Sequence, residues 1–227
     1  MYPNQKGFTL VELMVVIAIF AIMSLIAYPN MSEWIAERRI ANKAEQMANL
    51  FRLARAEAVR IGVPVYICPV DISDAGKPNN YCDTSDPEGY AAFADKDKDY
   101  KYDEKKGIDI PLRTVVLNTQ SRNTTLFLFN NLNAAPNYNP VNSGSGQARA
   151  VGYMPNGAFI RGNYTVGKKG IITPSPANSI IKIVLTDKQP ENKQKSRAQV
   201  LLFDGSGRLQ TCKKSEILDS NNKKCTF

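Results

Sequence analysis

The sequence predicts an α+β protein in which one long N-terminal helix packs against an antiparallel β-sheet head. Three observations predict it. Residues Phe8 to Tyr28 form an apolar run with a single charge, Glu12. After Pro29, apolar residues recur at steps of three and four. Beyond Gly62 the pattern becomes that of extended chain, and all four cysteines lie in this later part. A chain with one helix first and strands after it is packed most economically with the helix stripe laid on the sheet.

The first run is long enough to cross a bilayer as a helix, which takes about 20 apolar residues. Glu12 stands out in it, because an ionisable side chain there costs ~2.5 to 3.5 kcal/mol on insertion scales and so needs a compensating partner. The residues in front are few and polar, ending in Lys6-Gly7, and the far end reads Ala27-Tyr28-Pro29. Neither end suits a secretory signal with a long charged region and a small-residue cleavage site. Pro29 lacks an amide hydrogen and clashes with the carbonyl of Leu25, so a bend is expected there. The helical pattern then resumes as one stripe, Ile40, Ala44, Met47, Phe51, Ala54, Ala58 and Ile61, with charged residues elsewhere on the wheel. Gly62 and Pro64 stop it.

Nine segments beyond Gly62 read as strands: Val63 to Pro69, Gly89 to Ala94, Leu112 to Leu117, Thr125 to Phe129, Arg149 to Met154, Ala158 to Arg161, Ser179 to Leu185, Ala198 to Phe203 and Gly207 to Thr211. Clusters of Gly, Pro, Asn and Asp bound them. Asn137 to Gly146 and Lys188 to Ser196 read as loops, and no internal repeat is present.

The chain has 227 residues and a formal charge of +8; the length suits one helix-plus-head unit with a core of its own, and a second enzyme-sized domain is not expected. The basic balance supports contact with anions such as lipid headgroups, acidic subunit faces or nucleic acid, without choosing among them. From Lys182 onward ten basic residues stand against five acidic ones. An even number of cysteines outside a cytoplasmic compartment reads as disulfides. Four cysteines allow three pairings; the near pairs, Cys68 with Cys82 and Cys212 with Cys225, each close a loop of about 15 residues worth ~3 kcal/mol in the chain-entropy model, and these two bridges are expected. A zinc centre is disfavoured by the absence of histidine and of any C-x-x-C spacing. With no histidine base, nucleophile elbow or phosphate loop, neither catalysis nor a cofactor is expected.

Lys6-Gly7, then Phe8-Thr9-Leu10-Val11-Glu12, then an apolar helix and Pro29, resemble the class III signal of type IV prepilins and type II secretion pseudopilins. The resemblance implies a leader of residues 1 to 7, removed by a prepilin peptidase that cuts between Gly7 and Phe8, and N-methylation of the new Phe8 terminus. Losing Lys6 lowers the formal charge to +7. The Phe8 ammonium of one subunit is then a charge partner for Glu12 of its neighbour, offsetting on assembly a buried acid that is costly alone.

The head carries further marks: Gly62-Val63-Pro64-Val65, Cys68-Pro69 with a second cysteine, Phe93-Ala94-Asp95-Lys96-Asp97 before Leu112-Arg113, and Phe203-Asp204-x-x-Gly207-Arg208. Together they resemble the GspH/FimT group, with FimU-like minor pilins nearest. That implies a transmembrane and filament-core helix over 8–28, an amphipathic helix over 29–61 packing on the head, and a periplasmic β-rich head over 62–227. It implies a single pass through the bacterial inner membrane, contact with lipid before assembly, and a place at the pilus tip after it. The implied partners are other minor pilins, the major pilin, the inner-membrane assembly platform and the prepilin peptidase. The implied role is priming of type IV pilus assembly and support of twitching motility; the alternatives are a DNA-binding competence pilin and a type II secretion pseudopilin.

Two motifs bear on binding. Asp95, Asp97, Asp99 and Asp103 alternate like oxygen ligands of a calcium loop. Yet Tyr100 takes the place of the glycine, Lys106 that of the glutamate, and Lys96, Lys98 and Lys101 weaken the local field. A solvated turn without metal is expected, with a weak calcium site on these four aspartates as the alternative. Gly207-Arg208-Leu209-Gln210 resembles the GRxR motif of the DNA-binding FimT branch with Gln210 in place of the second arginine, which removes one phosphate contact. Lys213 and Lys214 substitute only as point charges, so DNA is not the favoured partner.

Overall fold

A computed structural model of the chain describes residues 7–84, 86–103, 108–119, 124–132, 149–167, 170–176 and 180–227, with backbone alone for residues 25–30, 131, 149, 175 and 176. The chain forms two compact units, Met1–Arg39 and Ile40–Phe227. One helix, α1 (Leu10–Ile61), supplies the described helix of the first unit and the opening element of the second. It runs on as helix through Pro29. It ends at Gly62, whose amide donates to the Ala58 carbonyl at 3.0 Å and whose φ of +76° is open to glycine at no steric cost.

In the head unit, eleven strands are found among the described residues: β1 (Val65–Ile72), β2 (Pro78–Asn79), β3 (Gly89–Ala94), β4 (Ile110–Val116), β5 (Thr125–Leu132), β6 (Arg149–Tyr153), β7 (Phe159–Asn163), β8 (Thr173–Pro176), β9 (Ile180–Asp187), β10 (Gln199–Phe203) and β11 (Leu209–Thr211). All nine expected strands are among them. They form two sheets, not one, both antiparallel: β4-β3-β1-β6-β7-β8 with β2 also on β1, and β11-β10-β9-β5. The period of two explains why both are needed. In β1, Val65 and Ile67 face the main core while Tyr66 and Cys68 face a second cluster; in β10, Leu201 and Phe203 face the main core while Val200 and Leu202 face a third. Each sheet is therefore covered on both faces.

The main core is closed by the stripe Ile40, Ala44, Met47, Phe51, Ala54 and Ala58 of α1, all buried, packed with the inner faces of both sheets. Asn118, just past β4, joins the sheets by accepting from the Thr125 amide and donating to the Thr125 carbonyl, each at 2.9 Å. Disulfides Cys68–Cys82 and Cys212–Cys225 anchor the covers of the two outer faces.

Two strands escape the sequence pattern. β8 holds Pro174 and Pro176 at the edge of the first sheet, where missing amide hydrogens do little harm, and β2 is two residues long. The expected loop Lys188 to Ser196 instead contains a 3-10 turn (Glu191–Lys193) and the short helix α2 (Gln194–Arg197). Local polar groups fold it back: the Thr186 hydroxyl donates to the Gln194 carbonyl at 2.6 Å, and the Gln194 side chain donates to the Lys188 carbonyl at 2.9 Å. A further short helix, α3 (Lys214–Leu218), follows β11. The expected loop Asn137 to Gly146, Ser179 and Lys106 lie outside the described residues.

Candidate functional site

The N-terminal motif is built by helix initiation. Gly7, Phe8 and Thr9 precede α1, and the Thr9 hydroxyl accepts the Glu12 amide at 3.2 Å, an N-cap contact that satisfies one of the free donors of the first turn. Glu12 is the acid of that turn, where its charge suits the positive end of the helix. Helical Cα–Cβ bonds tilt toward the N-terminus, and Phe8 lies just before that turn. Phe8 is 85% exposed, and exposed large apolar side chains continue from Leu10 through Met23. A surface of this kind calls for a cover of lipid or protein. Among the described residues no helix is long and apolar enough to cross a membrane; the side chains of residues 25–30, within and just past the expected span, are not among those described.

The acidic loop after β3 is organised differently from its sequence spacing. Carboxylate oxygens of Asp95, Asp97, Asp99 and Asp109 come within 4.8 Å of one another, so the fourth member is Asp109, at the entry to β4, and not Asp103. Asp103 contributes its amide to Asp109 Oδ2 at 3.0 Å, while its carboxylate meets Lys101 Nζ at 3.7 Å. Asp109 Oδ1 accepts the Lys96 amide at 3.1 Å, and Asp95 Oδ2 the Tyr100 amide at 3.2 Å. Burial pushes the Asp95 carboxyl up to about 6, against the pull of the Tyr100 and Lys98 amides and with the charges of Asp109 and Asp99 adding to the rise. Burial also holds the Asp109 carboxyl above its ordinary range, opposed by the Asp103 and Lys96 amides. Asp109 is separated from the aspartate run by a stretch of intervening chain, which is why spacing alone passed over it.

The basic C-terminal region is thinner on the surface than its sequence suggests. Lys182 is buried and donates to the Thr226 carbonyl, and burial lowers its pKa. Arg197 is paired with buried Asp187 at 3.0 Å. Lys214 donates to the Ser196 carbonyl. Arg208 and Lys213 are exposed; Arg208 sits in a turn held by Asp204, whose Oδ1 accepts the amides of Ser206 and Arg208, both at 3.0 Å, and the Ser206 hydroxyl at 2.6 Å. Gly207 in that turn has φ +75°, and a Cβ there would come within 2.7 Å of the Tyr153 ring. Gln210 lies on β11 and accepts from Lys224 at 3.2 Å. Lys224, from the Cys212–Cys225 loop, thus stands beside Gln210.

An exposed apolar N-terminal helix followed by an α+β head with two antiparallel sheets has the element order of a pilin-like subunit. Residues 2–28 match the prokaryotic N-terminal methylation motif, and residues 43–180, more than half of the chain, match the type II transport protein GspH family. The chain belongs to the GspH family. Among solved structures it is similar to the type IV minor pilin FimU of Pseudomonas aeruginosa strain PAO1, at 14% identity and a TM-score of 0.42, covering 78% of this chain and 91% of that one.

Proposed function

We propose that the protein is a minor pilin that primes type IV pilus assembly and stands at or near the filament tip, supporting twitching motility. The observation that carries this reading is the N-terminal motif: an exposed apolar helix whose acid, Glu12, lies in the first turn, just after the Gly7-Phe8 step. Before assembly the Phe8 to Tyr28 segment is held in the inner membrane with the head in the periplasm. The two disulfides suit that oxidising compartment. On assembly the methylated Phe8 amine of one subunit pairs with Glu12 of another, and the apolar faces exchange lipid for protein. The role is one of packing and charge pairing with pilin partners and the assembly platform, not catalysis.

A second reading, a pseudopilin of type II secretion, is favoured by the family description matched over residues 43–180. Deletion of the gene, scored separately for surface piliation, protein secretion and DNA uptake, distinguishes the two. Loss of piliation and twitching with secretion intact is expected; intact piliation with failed secretion assigns the second reading, and failure of transformation alone assigns DNA uptake. Glu12→Gln keeps the side-chain shape and removes the charge, so cleavage after Gly7 is expected to persist while incorporation into filaments falls. Normal incorporation of that variant removes the charge-pairing role.

A further inference from the structure

We propose that the carboxylates of Asp95, Asp97 and Asp99, after β3, and Asp109, before β4, form a binding site for a calcium-class divalent cation. Four groups from two chain segments converge there, with one oxygen from each within 4.8 Å of the others. Calcium binds oxygens at ~2.3 to 2.6 Å, so oxygens on opposite sides of its shell stand ~4.6 to 5.2 Å apart. The 4.8 Å limit on the separations in the cluster falls within that range. Magnesium, at ~2.0 to 2.1 Å, requires the same oxygens to close to a tighter octahedron. The ligand set is all carboxylate, which suits a hard cation and not zinc or copper.

An independent observation points to a ligand. Asp95 is fully buried, and its Oδ1 has no hydrogen-bond partner, although its other oxygen accepts the Tyr100 amide. A buried carboxylate oxygen without a partner is costly. The Tyr66 hydroxyl, whose pKa is raised by burial and then by the charge of Asp95, is likewise buried without a partner. A cation among the four carboxylates compensates the buried Asp95 carboxylate and relieves their mutual repulsion.

The features that argue against calcium in the sequence weigh less in the fold. Tyr100, in the place of the loop glycine, adopts φ +66°, and Lys98 adopts φ +61°, the left-handed conformation that such a glycine supplies. Lys96 and Lys98 are exposed. Among the described residues Lys101 lies on the ligands, at 3.2 Å from Asp99 Oδ2, and it is a group that a cation must displace or share with. The glutamate missing from the end of the loop is replaced by Asp109, at the entry to β4.

The test is calorimetric titration of the full chain, purified in detergent micelles and stripped with chelator, against calcium chloride and separately against magnesium chloride, with far-UV circular dichroism to follow melting. Saturable calcium binding with one site per chain and a raised melting temperature are expected, with magnesium weaker by at least about tenfold. Asp97 is exposed, so Asp97→Asn tests the site without disturbing the core; it and Asp109→Asn are expected to weaken calcium by at least about tenfold, while Asp103→Asn stays within about threefold. Absence of saturable heat and of any melting shift overturns the proposal, as does undiminished binding in Asp97→Asn. Magnesium binding as tight as calcium overturns the assignment of the cation. Should Asp109→Asn fail to fold, Asp97→Asn alone decides.

Discussion

The Phe51 ring of α1 lies 4.2 Å, centroid to centroid, from the Phe203 ring of β10, and Phe203 stacks in turn on Phe159 of β7 at 5.6 Å. Helix, second sheet and first sheet thus meet in three rings. Phe51 is almost wholly buried, so truncating it forfeits transfer energy and leaves a cavity at the junction of all three layers. Phe51→Ala is expected to cost ~3 to 5 kcal/mol in urea denaturation of the full chain followed by circular dichroism. Phe51→Leu, which keeps most of the volume, is expected to cost less than half of that. A loss below about 1 kcal/mol for the alanine variant means that the junction does not bear on stability.

Phe51 was legible as a core residue because helical period and apolar identity agree over the whole stripe from Ile40 to Ala58. The strands were legible for a similar reason: each sheet is apolar on both faces, so its strands stand out as short apolar runs between turn residues. What could not be read was which strands share a sheet. Asn118 holding Thr125 joins two sheets through a side chain whose identity also suits a turn. The site residues divide in the same way. Gly7, Phe8 and Glu12 are contiguous, so local order reveals them, whereas Asp109 joins the acidic loop only after β3 and β4 pair, and Lys224 reaches Gln210 only after the last disulfide loop has formed.

The Asp187–Arg197 pair links the end of β9 to α2 at 3.0 Å, with the Asp187 side chain 1% exposed. Burying two charges is expensive, and removing one partner forfeits the compensation it gives the other. Arg197→Met removes this cation from a carboxylate with almost no access to water, and is expected to destabilise the head by ~3 to 5 kcal/mol. The double change Asp187→Leu with Arg197→Met is expected to recover a large part of that loss. A double-mutant cycle by urea denaturation measures the coupling; additive losses show that the two side chains do not act as a pair.

Asp204 holds the turn that presents Arg208, and its pH dependence follows from its contacts. Burial raises its pKa, but the Ser206 hydroxyl, the Arg208 and Ser206 amides and the Arg208 charge together outweigh burial and leave the carboxyl below its ordinary value. A carboxyl held low in the folded chain binds its proton more weakly there than in the unfolded chain. Its contribution is therefore complete above the unfolded value of about 3.9 and is lost as pH falls through the lower folded value. Asp204→Asn keeps the shape and removes the charge, and is expected to cost ~1 kcal/mol at pH 7. The gap between parent and variant in urea midpoint is expected to hold from pH 7 to pH 5, to narrow below about 3.9 and to close with further acid. A gap of equal size at pH 7 and in strong acid assigns the stabilisation to shape, and the charge of Asp204 then has no part in fixing the Arg208 turn.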